Sequence, residues 1–339
     1  MRKQKTMKRI LFPIIAALIL CSCEKVLEVE TDDEQLMVLN GVPSAGKQMF
    51  VNLTYSHFFL DTCVQHPIDG AQMTISINGT EMTPSQVVGC NYFFPYTLAE
   101  DDTVAITVNA AGRTLAAKTF VPRLPMVSNV TSHIDTSLVF NFLDVDFDLA
   151  DHADYSDLYH IVITCRDSGR RHNPYTDSID HIDTVVRKMF YCGDQSMTSS
   201  EVSAYLPLGG YFFQRLLITD KLIDGQEKRV RLMMPILIDT NEIAPFRHDY
   251  TLDIETVTPA RFRYIVQSNR AANNMMLFSD APQVQSNVNG GYGVFAGNAR
   301  RTFPLTPDTA SVPLFALPTM EAGEVMKRLL QEQSHDELK

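Results

Sequence analysis

The sequence predicts a mainly β protein: an N-terminal immunoglobulin-like β-sandwich, then a second β-rich domain carrying one or two short helices. Three observations predict it. Apolar and polar residues alternate at period two in segment after segment; turn pairs such as Asn78-Gly79 separate the segments; and beyond residue 22 only two stretches carry a helical period. The 339 residues suit two domains, and 45 % apolar content is enough to build their cores.

The chain opens with a leader. Arg2, Lys3, Lys5, Lys8 and Arg9 form a positive segment without an acid, and Ile10 to Leu20 follow as an apolar run. A membrane span needs about 20 apolar residues, so this shorter run reads as the core of a signal peptide over residues 1–22. Leu20-Cys21-Ser22-Cys23 reads as a lipobox, which makes Cys23 the lipidated first residue of the mature chain. Cleavage removes five positive charges and no negative ones, taking the net charge from -11 to -16. An acidic chain of this kind lacks the basic face needed for nucleic-acid binding. Residues 23–35 form an acidic tether.

The first domain spans 36–122. Leu36 to Leu39 is a short apolar strand. Met49, Val51, Leu53 and Tyr55 alternate, as do Met73, Ile75 and Ile77, which end at the Asn78-Gly79 hairpin turn. Val104, Ile106 and Val108 alternate again, and Ala111-Gly112 leads into Thr114 to Val121. Strands at this spacing fit a sandwich of immunoglobulin-like size. Pro122 to Pro125 breaks the ladder and marks the boundary.

The second domain spans 126–318. Leu138, Phe140 and Phe142, then Val145, Phe147 and Leu149, read as strand, as do Tyr159, Ile161 and Ile163. Asp167-Ser168-Gly169 carries turn chemistry, and polar residues 170–184 read as an exposed loop. Tyr211 to Thr219 and Glu227 to Ile238 flank Asp224-Gly225 as a second hairpin. Tyr250, Leu252, Ile254 and Thr256 alternate. Thr258-Pro259 starts a helix, with Thr at the N-cap and Pro at N1, ending near Asn273-Asn274. Residues 319–339 read as a helical tail, with Val325, Leu329 and Leu330 on one side.

Export places Cys63, Cys90, Cys165 and Cys192 in an oxidising compartment. They form two pairs, each 27 residues apart. Local pairing of 63 with 90 and 165 with 192 is the simplest of the connectivities, and each bridge would contribute roughly 3–4 kcal/mol. Buried thiols are the alternative. No Cys or His pair has the close spacing of a zinc site.

Several patterns invite a chemical reading. Gly41 to Lys47 has the spacing of a phosphate loop, but Gln48 stands where Ser or Thr must hold Mg²⁺. Asp144, Asp146, Asp148, Asp151, Asp154 and Asp157 form the densest acid cluster, and Asp144, Asp146, Asp148 and Asp151 are the candidate Ca²⁺ ligands. The EF-hand pattern fails there, because Leu149 and Tyr155 occupy its Gly and Glu positions. A half-solvated strand, with Asp144, Asp146 and Asp148 on its outer face, is the alternative. Beyond that candidate cation no cofactor is expected. Tyr55, Phe58, Phe59, Tyr92, Phe93 and Phe94 are either a binding patch or sandwich core. No Gly-x-Ser-x-Gly elbow anchors a catalytic triad, and the chain is expected to be non-enzymatic.

Five segments together carry a family resemblance. They are Cys23 through Leu39-Asn40-Gly41; Pro67 to Ala71; Leu217 to Gly225; His248-Asp249-Tyr250; and Ser286 to Phe295, with its Asn289-Gly290-Gly291-Tyr292-Gly293 run. With them the chain resembles the Bacteroidota lipoproteins of domain-of-unknown-function family 4249. The four internal Cys and the stretch after Pro318 depart from that pattern. The resemblance implies a β-sandwich N-terminal domain, anchoring in the outer membrane, and a gene beside a TonB-dependent receptor. It implies no substrate. The resulting expectation is a ligand-binding or docking accessory of a TonB-dependent transporter, held to the membrane by its N-terminal lipid. A structural or assembly protein of the envelope is the alternative. The acids Glu28, Glu30, Asp32, Asp33 and Glu34 lean towards display at the cell surface.

Overall fold

The computed structural model describes residues 36–56, 65–135, 141–192, 212–219, 221, 223, 225–236, 241–273 and 284–306. All of them belong to one unit, 36–339. It holds two hydrophobic cores, each closed between two antiparallel sheets. The protein is therefore mainly β. Among the described residues no helix is long and apolar enough to cross a membrane.

In the first sandwich, one sheet runs β1 (Met37–Asn40), β2 (Gln48–Tyr55), β6 (Asn91–Thr97), β5 (Gln86–Val88). The other runs β4 (Thr80–Met82), β3 (Gln72–Ile77), β7 (Thr103–Ala110), β8 (Arg113–Phe120). The period-two pattern works as expected: Val51, Leu53, Ile75, Ile106 and Val108 point inward and are at most 1 % exposed. Asn78 and Gly79 both have positive φ, 52° and 87°, the geometry a two-residue hairpin needs.

In the second sandwich, one sheet runs β14 (Phe212–Phe213), β13 (Phe190–Cys192), β16 (Glu227–Pro235), β10 (Phe142–Ala150), β9 (Met126–Asp135). The facing sheet runs β12 (Ser178–Arg187), β11 (Leu158–Asn173), β17 (Glu242–Val257), β18 (Asn298–Leu305), with β15 (Leu216–Thr219) also paired to β11. Val145, Phe147, Tyr159, Ile161, Phe190, Leu232 and Ile254 fill the space between them. Helix α1 (Pro259–Asn273) starts where Thr258-Pro259 predicts, and Asn274 lies outside the described residues.

Three readings change. Residues 170–184 are not a loop but the distal ends of β11 and β12, paired from Thr164↔Arg187 to Asn173↔Ser178. They lack alternation because this hairpin runs past the core and buries neither face. Asp167-Ser168-Gly169 is accordingly no turn; the β11–β17 register shifts between Ser168 and Arg170. The second hairpin expected across residues 211–238 does not form either, and Asp224 itself lies outside the described residues. β15 pairs with β11 and β16 with β10, so the chain crosses here from one sheet to the other. The tail 319–339 lies outside the described residues.

Residues 286–297 return to the first sandwich, although they follow the second-domain strands in sequence. Leu39 and Gly41 donate backbone hydrogen bonds to Tyr292 and Val294, and Val288 and Phe295 are buried in the first core. Glycine is obligatory in this strap. A Cβ on Gly297 would lie 1.9 Å from the Phe120 carbonyl oxygen, and one on Gly293 2.1 Å from that of Leu39. This explains the glycine-rich run that contributed to the resemblance.

Candidate functional site

The aspartates of β10 form a charge ladder, not a cation cage. Asp144, fully buried, pairs with Arg231; Asp148 accepts from Asn129 (2.7 Å) and Arg229 (3.2 Å); Arg229 Nε lies 3.9 Å from Asp146. These partners sit on the strands flanking β10, where opposite charges across a ladder stabilise a sheet. Asp151 faces elsewhere. It accepts from the Gly225 amide (2.9 Å) and shares Tyr159 Oη with Asp157, each at 3.0 Å. Burial and these two charges push the Tyr159 phenol far up. The four candidate Ca²⁺ ligands are thus divided between two separate networks.

The aromatic residues also divide. Tyr92 and Phe94 are core, at 6 % and 0 % exposure, with Tyr55 packed beside them. Phe93 faces outward and stacks on Phe50 at 5.9 Å between centroids. Phe58, Phe59 and Cys63 lie outside the described residues, and so does the Cys63–Cys90 pairing; Cys90 itself is buried. The other expected bridge is not formed. Cys165 and Cys192 line the same core but are not joined. Cys165 is a thiol that donates to Asp167 Oδ1 at 3.0 Å, and burial with this carboxylate pushes it up to about 12.

Cys165, Asp167 and His248 bring three metal-type donor atoms within 4.8 Å of one another, the kind of donor set that could hold a Zn²⁺-like ion. The register Asp167↔His248 sets this geometry. His248 Nδ1 lies 2.7 Å from Asp167 Oδ1, and Nε2 lies 3.1 Å from Glu242 Oε2. Lys188 Nζ approaches Asp167 Oδ2 at 3.4 Å. Burial raises the Asp167 carboxyl, but hydrogen bonds from Cys165 and His248, with the Lys188 charge, outweigh it and hold it below the carboxylate range. Lys188 already balances that carboxylate, so the cluster is complete as an ion-paired clasp at the root of the β11–β12–β17 extension. Above the clasp a shallow groove of about 620 Å³ is lined by Gly169, Arg170, His181 and Pro245. Sequence reasoning singled out His248 and Cys165 but did not connect them, because the pairing lies 83 residues apart in the chain.

On the opposite face of the same sheet lies a cationic cluster that the sequence did not announce. His160 Nδ1 donates to Glu255 Oε2 at 3.0 Å, and Arg300 Nε to Glu255 Oε1 at 2.6 Å. Burial works against ionisation of Glu255. The His160 hydrogen bond and the charges of Arg300 and Arg261 prevail and bring it to about 2. Burial lowers Arg215 and Arg261, and each is lowered further by Arg187; Arg215 reaches Asn269 at 2.8 Å. Burial together with Arg215 and Arg261 lowers His160, against the raising effect of Glu255. These residues come from β11, β12, the bend between β14 and β15, β17, β18 and α1, so no local spacing marks them. The one local signal is that the first turn of α1 carries no acid and does carry Arg261.

No curated protein matches the chain. Among solved structures it is similar to the Enterococcus faecalis MSCRAMM ACE, whose structure is described as binding its ligands by the collagen hug model. That match is 11 % identical, covers 81 % of this chain and 96 % of the other, and has a TM-score of 0.20. A structure of Gaeumannomyces graminis manganese lipoxygenase with part of a Komagataella pastoris zonadhesin is similar at 9 % identity. It covers 67 % of this chain and 90 % of the other, with a TM-score of 0.17. At these TM-scores neither bears on fold or function. The model of a domain of unknown function, DUF4249, matches residues 24–303, and the chain belongs to that family.

Proposed function

We propose that the protein is a non-enzymatic outer-membrane lipoprotein, anchored through Cys23, that serves as a docking or ligand-capturing accessory of a TonB-dependent transporter. The observation that carries this reading is the extension of β11, β12 and β17 beyond the core. It presents Tyr175, Ile179 and Val185 to solvent at 96 %, 57 % and 67 % exposure, with Val186 beside them. Apolar side chains gathered on one projecting arm are what a partner surface covers. The Arg166–Asp183 pair, at 2.8 Å, braces the arm across its strands. A binding role also agrees with Cys165, whose thiol is pushed away from the thiolate a nucleophile requires.

Extraction of the native membrane in mild detergent tests the proposal. The full-length protein should co-purify with a TonB-dependent transporter. A variant with residues 170–184 replaced by an Asn-Gly turn should lose it. If no transporter accompanies the wild type and no ligand raises its melting temperature, the accessory reading fails and the envelope-assembly reading takes its place. Protease shaving of intact cells decides whether the anchor displays the protein at the surface.

A further inference from the structure

We infer that the cationic cluster at the start of α1, on the β11–β17–β18 sheet, is a binding site for a phosphate group, built from Arg187, Arg215, Arg261, Arg300 and His160. The inference does not rest on the docking role of the arm: of the arm's strands it uses only Arg187, the last residue of β12. Three observations carry it.

The first is charge. Arg215 feels the charges of Arg187 and Arg261, and Arg261 those of Arg187 and Arg300; among the described residues Glu255 is the carboxylate that acts on Arg215 and Arg261 and accepts from Arg300. Asp253, two residues along β17 on the same face, accepts from Thr302 Oγ1 at 2.5 Å and adds a second carboxylate, still fewer than the four guanidinium groups. Partly buried cations in excess of their counter-charges are costly unless an anion joins them. The second is the helix. A helix N-terminus carries partial positive charge and favours acids, yet the first turn of α1 has none and adds Arg261. A bound anion turns this repulsion into attraction.

The third is unmet hydrogen bonding. Among the described residues, His160 Nε2, Arg261 Nε and the Thr258 Oγ1 at the N-cap are buried without a partner. His160 is 7 % exposed and Thr258 2 %. Buried polar atoms are rarely left so. Their types define the ligand. Several guanidinium donors on different elements suit an anion with several oxygens. His160 Nδ1 must donate, because Glu255 can only accept, so the neutral ring presents Nε2 as an acceptor. Monohydrogen phosphate, or a phosphate monoester with one proton, supplies both oxygens and an O–H; sulfate supplies only oxygens. Arg187 is exposed and the Arg300 side chain 49 % exposed, which leaves a way in.

The test is calorimetry and thermal melting on the full chain in detergent, in chloride buffer, with inorganic phosphate, sulfate, glycerol 3-phosphate and phosphatidylglycerol or phosphatidylcholine vesicles. Phosphate should bind and raise the melting temperature more than sulfate does. Arg261→Gln and Arg215→Gln should each weaken phosphate roughly tenfold or more, whereas Arg263→Gln, exposed on the same helix, should not. Melting in chloride alone shows that each variant folds. Preference for the soluble ester identifies a free phosphate compound, and preference for phosphatidylglycerol a lipid headgroup. Absence of phosphate binding, a sulfate response equal to phosphate, or an unchanged response in both variants overturns the inference.

Discussion

Replacing Glu255 with Gln removes one negative charge from the centre of the cationic cluster while keeping the shape and an acceptor for His160. The structure sets the size of the effect. The carboxyl is brought from its usual 4.5 to about 2. At roughly 1.4 kcal/mol per pH unit this corresponds to about 3 kcal/mol of stability at neutral pH. The side chain is only 2 % exposed, so solvent does little to dilute it. The sign follows from proton linkage. A carboxyl with a lower pKa in the folded state binds fewer protons there, so its contribution is complete above about pH 4.5 and fades as the pH falls towards 2. His160, lowered from 6.5, works in the same direction over a higher window: its neutral form is favoured by folding, and stability declines as the pH falls from about 6.5. Urea denaturation at a series of pH values is the assay. At pH 7 Glu255→Gln should be less stable by about 3 kcal/mol, and the gap should close near pH 2 to 3. A variant equal to the wild type at pH 7, or a gap that persists unchanged in acid, would show that the carboxylate does not balance the cluster.

Three further outcomes are expected. Gly297→Ala should destabilise the protein by about 3 kcal/mol or more, because its Cβ meets the Phe120 carbonyl at 1.9 Å; Gly46→Ala, with open space around it, should cost only about 1–2 kcal/mol for its left-handed backbone, and equal losses in the two would refute the strap. His248→Gln should speed amide exchange in residues 166–187 and leave the β10 core protected. Asp167, held below its usual 3.8, should make that protection weaken as the pH drops through the acid range, and a pH-independent arm would remove the clasp. Alkylation of the native protein should spare Cys165 and label it only after unfolding; recovery of a peptide cross-linked between Cys165 and Cys192 would contradict the thiol geometry.

What the sequence disclosed and what it withheld follow from one physical distinction. A strand buried on one face writes its environment every second residue, and so Val51 to Tyr55, Met73 to Ile77 and Val104 to Val108 were legible. Hairpin turns of two residues were legible for the same local reason at Asn78-Gly79, where the backbone needs positive φ. Asp224-Gly225 has the same chemistry but joins strands in opposite sheets, and only the pairing of β15 with β11 and of β16 with β10 reveals it. Residues 170–184 were misread as a loop because a ribbon solvated on both faces has no reason to alternate. The two charged centres were the least legible. Asp167 meets His248, and His160 meets Glu255, through the β11–β17 register alone. Alternation then puts the paired residues Asp167 and His248 in one cluster and His160 and Glu255 in another, whatever their separation in sequence. A slip of one residue between these two strands would dissolve both clusters together. Mutations that weaken the β11–β17 ladder should therefore impair the clasp at the arm and phosphate binding at α1 in parallel, although the two sites share no side chain.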